Sequence, residues 1–475
     1  MILASVQGIA TLVTPAVLAA AVTALVWGGQ KETTESFYVA ERRIGPFVGA
    51  ASIGVAWLWV FALFVGPQKA YQDGLPALLW FAIPNTLGIA LCCAIAWQVR
   101  KRMRGAGCTL PEFHEHAFDP SMRKVSAFGI LFVQGVYAVL AQLIGAQLLL
   151  STATSISPLV IVLTLAFLMV ALASYKGLPN SIGADVLKAS LVAMIVVIAV
   201  AALAFSDGTL SKGISGVREN PLGFFDKELL VGFAFPVSIS LLAGGAIDQQ
   251  LYQRSYALSA KSAGSALVLA PVVFFVLCLG IGSLGLLAAG SGLKASNPQL
   301  IGFEVMRNLF SPAMGTVFVL TVASILIATG AAALNAVSSV GAIDVVRSFR
   351  PHIGGRSLLW VSRSVMALFI VVCVSIFVLF PAVRLLDLIL FIGPFRASLL
   401  LPTILAAFTV AYARPSKAFT AAVVTAMLIG VWVSSGLWPL YPFSNRWVFE
   451  AGLITLGITA VACAIEWYRA RKLAL

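Results

Sequence analysis

Four ionisable side chains interrupt segments of this sequence that are otherwise apolar. They are Asp185, Lys188, Asp248 and Arg396. A lone charge at the centre of a bilayer costs about 2.5–3.5 kcal/mol on insertion scales, so such groups usually mark a pathway or a binding site. The motifs include no nucleophile with a paired base, no phosphate-binding loop and no dinucleotide fingerprint. The chemistry indicated is therefore the binding of polar or charged solutes and not covalent catalysis.

Asp248 follows the pair Gly244-Gly245, at the end of an apolar segment that also contains Pro236. An unwound backbone at this position would leave two peptide groups and a carboxylate facing a central cavity. We therefore predict that Gly244, Gly245 and Asp248 contact a substrate. In the alternative interpretation, Asp248 is a solvated helix end with Arg254 close by.

Asp185 and Lys188 are three residues apart, so on a helix they share a face and can form an ion pair. Both lie near the start of their apolar segment, where a lysine can instead extend its ammonium to the lipid headgroups. A carboxylate inside a membrane can also carry a proton, which makes Asp185 a candidate ion-binding residue.

Arg396 follows Gly393-Pro394 in another apolar segment. Its guanidinium could contact a substrate carboxylate or act as a counter-ion, or it could pair with Asp387. We include Arg396 among the predicted substrate-binding residues.

Trp57 and Trp59 follow a segment rich in small residues, Pro46 to Gly54, which looks able to break a membrane helix. The two indoles could form an apolar or cation-binding wall for a solute. The alternative is that both rings face lipid or the protein core.

His114 and His116 lie in a charged loop that has no other ligand candidates at fixed spacing, so we interpret both as solvated and predict no metal beyond a possible sodium ion. The six cysteines have no metal-ligand or disulfide spacing and are predicted to be reduced packing residues.

The framework that holds these groups is predicted from composition. The chain has 475 residues, of which 60% are hydrophobic and 10% charged, with a mean hydropathy of +1.00. Soluble domains are about 45–50% apolar and about 25% charged, so this is a polytopic membrane protein. Thirteen spans are predicted, at 9–28, 46–66, 75–98, 125–150, 155–175, 183–205, 229–248, 264–290, 314–343, 358–380, 386–413, 416–436 and 448–468.

The charge distribution predicts an orientation. The net charge is +13, and most Lys and Arg residues fall in the loops on one side if the N-terminus is outside. The positive-inside rule then places the C-terminus on the cytoplasmic side, in a protein of the plasma (inner) membrane. The surplus positive charge would face anionic lipid and not nucleic acid. The segment before the first span lacks Lys and Arg, so this span is predicted to be a mature helix and not a signal peptide.

The second and seventh spans are the two whose small residues, Gly and Pro are typical of an interrupted helix, and they lie five spans apart. Five is the spacing expected of an inverted repeat of five helices, here over about 46–205 and 229–413. The alternative is that Gly and Pro are simply common in membrane helices. We predict an extra N-terminal helix in 1–30, a ten-helix core in 36–413, and two further helices with a short tail in 414–475.

Several motifs resemble those of the sodium/solute symporter family, in order and at matching spacing. They are SFYVAERRIGPF (36–47), GPQKAYQDG (66–74), TLPEF (109–113), ADVLK (184–188), DQQLYQR (248–254), and the segment from Ala328-Thr329-Gly330 through Ser338-Ser339 to Asp344. The resemblance implies an all-α, thirteen-span protein with a LeuT-type 5+5 inverted-repeat core. It also implies alternating access and a solute site between two broken helices.

The resemblance also implies an ion site. The family's sodium-coordinating carbonyls fall near Val55 and Leu58, and its pair of hydroxyl ligands falls at Ala328 and Thr329. Thr329 carries a hydroxyl and Ala328 does not. Because a cation stripped of water needs several oxygen ligands, this departure leaves the coupling ion open between sodium and a proton carried by Asp185 or Asp248.

The predicted function is secondary active transport of a small organic solute, coupled to sodium or protons, without a cofactor. The alternative is a transporter-like sensor or binding module without active transport, which would need a signalling partner; a small accessory subunit is a further possible partner. An enzyme is not predicted, because the spans carry no catalytic set.

Overall fold

The computed structural model describes residues 31–206, 208–380, 385–409, 417–434 and 445–474. The predicted first span, 9–28, lies outside the described residues. The other twelve predicted spans all coincide with helices, so thirteen remains a predicted count. Ten helical stretches of the described residues are long and apolar enough to cross a bilayer.

The helices are numbered here in chain order. Their bounds are α1 Thr34–Val39, α2 Pro46–Ala56, α3 Val60–Arg102, α4 Leu110–Ala117, α5 Pro120–Ala153, α6 Pro158–Ser174, α7 Leu178–Phe205, α8 Thr209–Gly213, α9 Phe235–Ala246, α10 Gln249–Ala257, α11 Ala263–Gly290, α12 Ile301–Val305, α13 Pro312–Ser339, α14 Gly355–Leu379, α15 Leu385–Phe408, α16 Lys417–Ser434 and α17 Asn445–Ala474.

Helix α3 joins the second half of the broken span that begins with α2 to a further membrane segment, and the two parts meet at Gly74. It has 43 residues, which at 1.5 Å per residue would span roughly 65 Å, about twice the hydrocarbon thickness. Gly74 adopts φ +76, a left-handed value that side chains rarely tolerate, and the helix is interrupted by a kink there. The next amide, on Leu75, donates to the Ile214 carbonyl at 2.9 Å. The predicted boundary between the second and third spans therefore falls at this kink.

Helices α2 and α10 meet at one face of the molecule, which we call the first face. Ile44, just before α2, and Leu258, just after α10, form a parallel bridge. The Ile44 amide donates to the Ala257 carbonyl at 3.0 Å, and the Ser259 amide donates to the Ile44 carbonyl at 3.0 Å. The predicted orientation makes this the cytoplasmic face.

The core positions the site by packing α3 against α11, and α9 against both α3 and α15. The outer surfaces carry exposed apolar side chains such as Phe167, Val268 and Trp360, as expected where lipid surrounds a protein. The described residues include four π-helical segments: Leu131–Ala138 in α5, Leu230–Ala234 before α9, Met306–Phe310 after α12 and Val340–Val346 after α13. Such segments often mark functional sites, and the first of them carries Gln134 and Tyr137.

Candidate functional site

The first helix break separates α2 from α3 at Trp57, Leu58 and Trp59. The Val55 carbonyl accepts two amide bonds, from Trp57 and from Leu58, the latter at 3.0 Å. The indole N–H of Trp59 donates to the Ala56 carbonyl at 2.8 Å. The break therefore satisfies most of its own backbone groups, as a membrane interior requires.

The second break separates α9 from α10 at Ile247 and Asp248. It falls after Gly244-Gly245, because both glycines belong to the last turn of α9, where their carbonyls accept the amides of Ile247 and Asp248. The expectation that the glycine peptide groups open to a cavity is therefore not what the structure shows. The glycines instead allow close packing.

Gly244 and Gly245 each touch a different neighbour. A Cβ added at Gly245 would lie 2.4 Å from the Gly88 backbone of α3, and one added at Gly244 would lie 2.7 Å from Nη1 of Arg396 and 3.2 Å from the Trp57 ring. The pair thus brings the second break against both α3 and the arginine of α15.

Arg396 lies among three aromatic rings next to the first break. Its guanidinium carbon is 4.7 Å from the centroid of the Tyr137 ring, 5.7 Å from that of Trp59 and 5.9 Å from that of Trp57. The residue is 2% exposed. Cation–π attraction at these distances stabilises the charge in a buried position. The two tryptophans are themselves buried, so the lipid-facing alternative is excluded.

One edge of the Arg396 guanidinium has no hydrogen-bond partner in the part of the chain that the structure describes. Nη1 donates to the Ser240 carbonyl at 3.5 Å, whereas Nε and Nη2 have no acceptor among the described residues. An ion pair with Asp387 is thus not part of this arrangement. The Tyr137 hydroxyl has no hydrogen-bond partner at standard distance within the described chain, but it lies close enough to Arg396 for the two side chains to interact electrostatically. Nε and Nη2 form the side of the guanidinium that can bind both oxygens of a carboxylate.

Asp248 is a buried cap and not a solvated helix end. It is 0% exposed, and its Oδ1 accepts the amides of Gln250 at 2.7 Å and Leu251 at 3.2 Å at the start of α10. Its Oδ2 accepts the amide side chain of Gln134 at 2.7 Å. Asp248 therefore fixes where α10 begins and connects the second break to α5.

Asp185 pairs with Arg254 and not with Lys188. Its Oδ2 lies 2.8 Å from Nη2 of Arg254 and also accepts the Ser52 hydroxyl. Nη2 of Arg254 donates further to the Ser181 hydroxyl at 2.7 Å. This buried cluster joins α2, α7 and α10 on the first-face side of the breaks.

Lys188 points into the protein. It is 2% exposed, and its ammonium donates to the Thr329 hydroxyl of α13 at 2.8 Å. The alternative in which Lys188 extends its ammonium toward the headgroups is therefore excluded, as is the ion pair with Asp185. Thr329, the residue that the family resemblance assigned to the ion, is instead held by a lysine.

The remaining family-like motifs converge at the first face. The Thr109 hydroxyl donates to Asp344 at 3.1 Å, and Arg123 donates to the same carboxylate oxygen at 2.8 Å. Gln249, at the start of α10, accepts the Leu110 amide at 2.9 Å. These contacts connect α4, α5, α10 and the π-helical segment after α13, so the motifs hold this face together.

His114 does not lie in a solvated loop, contrary to the sequence interpretation. It is 0% exposed, and its Nε2 is 3.1 Å from the Thr403 hydroxyl, whose proton is donated to the Leu399 carbonyl. With this hydroxyl orientation, Nε2 is assigned as the protonated nitrogen. Burial lowers the pKa of His114 to about 3. His116 is exposed, as expected, and the described residues include no group of three His, Cys, Asp or Glu placed to hold a metal.

Sequence reasoning missed Tyr137, Gln134 and Ser240. Gln134 is a polar residue within an apolar span and could have been singled out on that ground. Tyr137 carried no such signal, because aromatic residues are ordinary in membrane helices.

Two interrupted helices that meet around buried polar side chains define a multi-pass membrane protein with the interrupted-helix architecture, in which other proteins bind solutes between the two breaks. The sodium:solute symporter family model matches residues 37–425, and the chain belongs to this family.

A relative from Schizosaccharomyces pombe, described as probable urea active transporter 1, is 21% identical over 383 residues, which cover 72% of this chain and 56% of the relative. The chain thus spans little more than half the length of that protein.

Two solved structures share the fold. A Na⁺-coupled sialic acid symporter in a substrate-bound outward-open state has a TM-score of 0.74 at 17% identity, covering 97% of both chains. A nucleobase-cation-symport-1 family transporter in a closed conformation has a TM-score of 0.54 at 16% identity, covering 92% of this chain and 96% of that one. The predicted all-α, LeuT-type fold class is confirmed.

Proposed function

We propose that this protein is a secondary active transporter that moves a small organic solute bearing a carboxylate across the membrane by alternating access. One observation carries the proposal: the Nε–Nη2 edge of Arg396 is buried between two broken helices without an acceptor in the described chain. An unpaired buried charge is costly, and a carboxylate accepting two parallel N–H bonds would relieve that cost.

The surroundings of Arg396 suit a compact solute. The rings of Trp57, Trp59 and Tyr137 offer flat apolar surface, and the Tyr137 hydroxyl, next to the guanidinium, offers a further polar contact. Asp248 and Gln134 come from the facing break and α5. We therefore assign the solute contacts to side chains at the two breaks, with Gly244 and Gly245 allowing the approach.

Alternating access would require the first face to open. The Asp185–Arg254 pair and the Ile44–Leu258 bridge hold α2 and α10 together there. We propose that the described conformation is closed on this face, and that opening separates α2 from α10. With the predicted orientation, N-terminus outside and C-terminus cytoplasmic in the plasma membrane, the closed face is the cytoplasmic one.

Urea is a second candidate solute, favoured by the relative from Schizosaccharomyces pombe. Its carbonyl oxygen could accept the same N–H groups of Arg396, but without a charge to balance the guanidinium. The ion that drives transport is proposed to be sodium or a proton. We propose division into the repeats 46–205 and 229–413, and leave an accessory subunit as a possible partner.

Solute counterflow in proteoliposomes tests the proposal. Vesicles containing the purified protein are loaded with acetate, L-lactate, benzoate, urea or glucose, and entry of the labelled form of the same compound is followed. Counterflow with at least one carboxylate, lost in Arg396→Gln, is the expected result. Counterflow with urea alone would transfer the proposal to urea, and counterflow with none would reject solute transport of either class.

A further inference from the structure

Lys188 lies where the family resemblance expects a coupling sodium ion to bind. Its ammonium is 2.8 Å from the Thr329 hydroxyl oxygen, and that hydroxyl donates its own proton to the Ile325 carbonyl at 2.7 Å. The lone pair of Thr329 that would face a metal ion therefore faces an ammonium instead.

The other oxygen ligands of such a site are weakened as well. The Val55 carbonyl has two lone pairs and already accepts two backbone amides, those of Trp57 and Leu58. Position 328 is alanine and supplies no oxygen. Of the candidate ligands, the Leu58 carbonyl is thus the one oxygen that no described group already engages.

The fixed charges nearby also disfavour an added cation. Lys188 and Arg254 bring two positive charges to the one carboxylate of Asp185, which Arg254 engages at 2.8 Å. All three residues are almost fully buried, so water screens their interactions little. A third cation beside Thr329 would be repelled by the ammonium at contact distance.

We propose that the Lys188 ammonium is a built-in substitute for the coupling sodium ion, bonding α7 to α13, and that this protein neither binds nor requires sodium at this site. This inference rests on the proposed function only where it predicts how transport responds to sodium. The prediction that sodium does not bind rests on the contacts alone. A tethered cation would hold α7 against α13 permanently, because it cannot exchange with solution.

The test measures sodium binding without any solute. Thermal unfolding of the purified protein in detergent is compared between sodium chloride and choline chloride at about 100 mM, because a ligand that binds only the folded state raises the unfolding temperature. The expected result for the unaltered protein is no difference between the two salts. A saturable stabilisation by sodium that disappears in Thr329→Val would overturn the proposal.

A gain-of-function variant provides a test in which sodium binding is the expected result. Lys188→Gln combined with Ala328→Ser removes the ammonium and restores the second hydroxyl, so sodium should now stabilise this variant while choline does not. Ala328→Ser alone, which keeps the ammonium, is the matched control and should stay indifferent to sodium. Sodium stabilisation of the control equal to that of the double variant would contradict the proposal.

Transport assays separate this inference from the proposed function. If counterflow of a carboxylate occurs and changes less than about twofold when choline replaces sodium, both ideas stand. If counterflow occurs and falls about tenfold without sodium, only the tethered-cation proposal fails. If no solute is transported, the thermal measurement still decides whether Lys188 excludes sodium.

Discussion

The guanidinium of Arg396 fills the space that a side chain at Gly244 would need. A Cβ at position 244 would lie 2.7 Å from Nη1, well inside contact distance. Arg396 of α15 and Gly244 at the end of α9 therefore pack directly against each other. Because Arg396 ends in a movable group, it could give way to a small side chain, but only by leaving its aromatic surroundings.

We expect Gly244→Ala to fold and to bind solute weakly. The displaced guanidinium loses its alignment, and solute affinity should fall by about tenfold, as for the loss of one charged hydrogen bond. Gly245→Ala should instead reduce the folded yield, because its Cβ would meet the rigid Gly88 backbone at 2.4 Å. Size-exclusion profiles and binding titrations measure both effects.

Gly457→Ala in α17 is the matched control, because a Cβ there would meet no atom within 4 Å. It should match the unaltered protein in yield and binding. Equal behaviour of the 244, 245 and 457 variants would contradict the packing described for the second break.

We expect Arg396→Lys to abolish tight carboxylate binding although it keeps the charge. A lysine cannot present two parallel donors or stack on the rings as a guanidinium does. The loss should be about 1.5–3 kcal/mol of binding free energy, roughly 10- to 150-fold in affinity. Arg307→Lys, at an exposed position, is the control and should bind normally. Unchanged affinity in Arg396→Lys would show that the solute binds elsewhere.

We expect Asp248→Asn to impair transport while leaving the folded yield intact. Asparagine caps helices about as well as aspartate, so α10 should still begin at the same residue. The amide cannot accept both the Gln134 side chain and the backbone amides in the same way, which disturbs the contact with α5. Solute uptake should therefore fall in this variant, whereas its unfolding temperature should stay close to that of the unaltered protein.

Asp248→Ala removes the cap as well and should lower stability by about 1 kcal/mol relative to Asn. Normal transport kinetics in Asp248→Asn would restrict Asp248 to capping and remove it from the solute site.

We expect single substitutions in the Asp185–Arg254 pair to be severe. Asp185→Asn leaves the Arg254 guanidinium buried without its partner, and losses of about 3–5 kcal/mol are typical for breaking a buried pair. The double variant Asp185→Leu/Arg254→Met should regain much of the folded yield, because both charges are gone. Thermal unfolding in detergent measures each.

Arg43→Gln, which breaks the exposed pair with Glu41, is the control and should change stability by less than about 1 kcal/mol. A mild effect of Asp185→Asn, similar to that control, would mean that the pair does not hold the first face closed.

We expect acid to destabilise the protein through His114. Its pKa is about 3 when folded and about 6.5 when unfolded, so below pH 6.5 the unfolded chain binds the extra proton and stability falls with pH. The slope approaches about 1.4 kcal/mol per pH unit well below pH 6.5 and vanishes below the folded pKa. His114→Asn should show a shallower decline between pH 7 and 5, and parallel curves would contradict this assignment.

The fold could be predicted from the sequence because the length of the apolar segments is enough to identify membrane spans. The breaks near Trp57 and Asp248 could be predicted from the small residues that precede them. The contacts of the charged residues were not within reach. Asp185 and Lys188 look like partners on one helix, yet Arg254 and Thr329 come from α10 and α13, which only tertiary packing brings near. Burial of His114 escaped detection for the same reason, because Thr403 lies almost 300 residues away in sequence.

The measurement that tests the central claim most directly compares a carboxylate with its own amide. Binding of L-lactate and lactamide, and of benzoate and benzamide, is titrated against the unaltered protein and Arg396→Gln. Each pair keeps the shape but replaces one anionic oxygen by a neutral NH2 donor, so the amide cannot accept two parallel N–H bonds. We predict that at least one acid binds the unaltered protein more than about tenfold tighter than its amide, and that this preference disappears in Arg396→Gln. An equal preference in both proteins, or none in either, would contradict the assignment of Arg396 as the solute anchor.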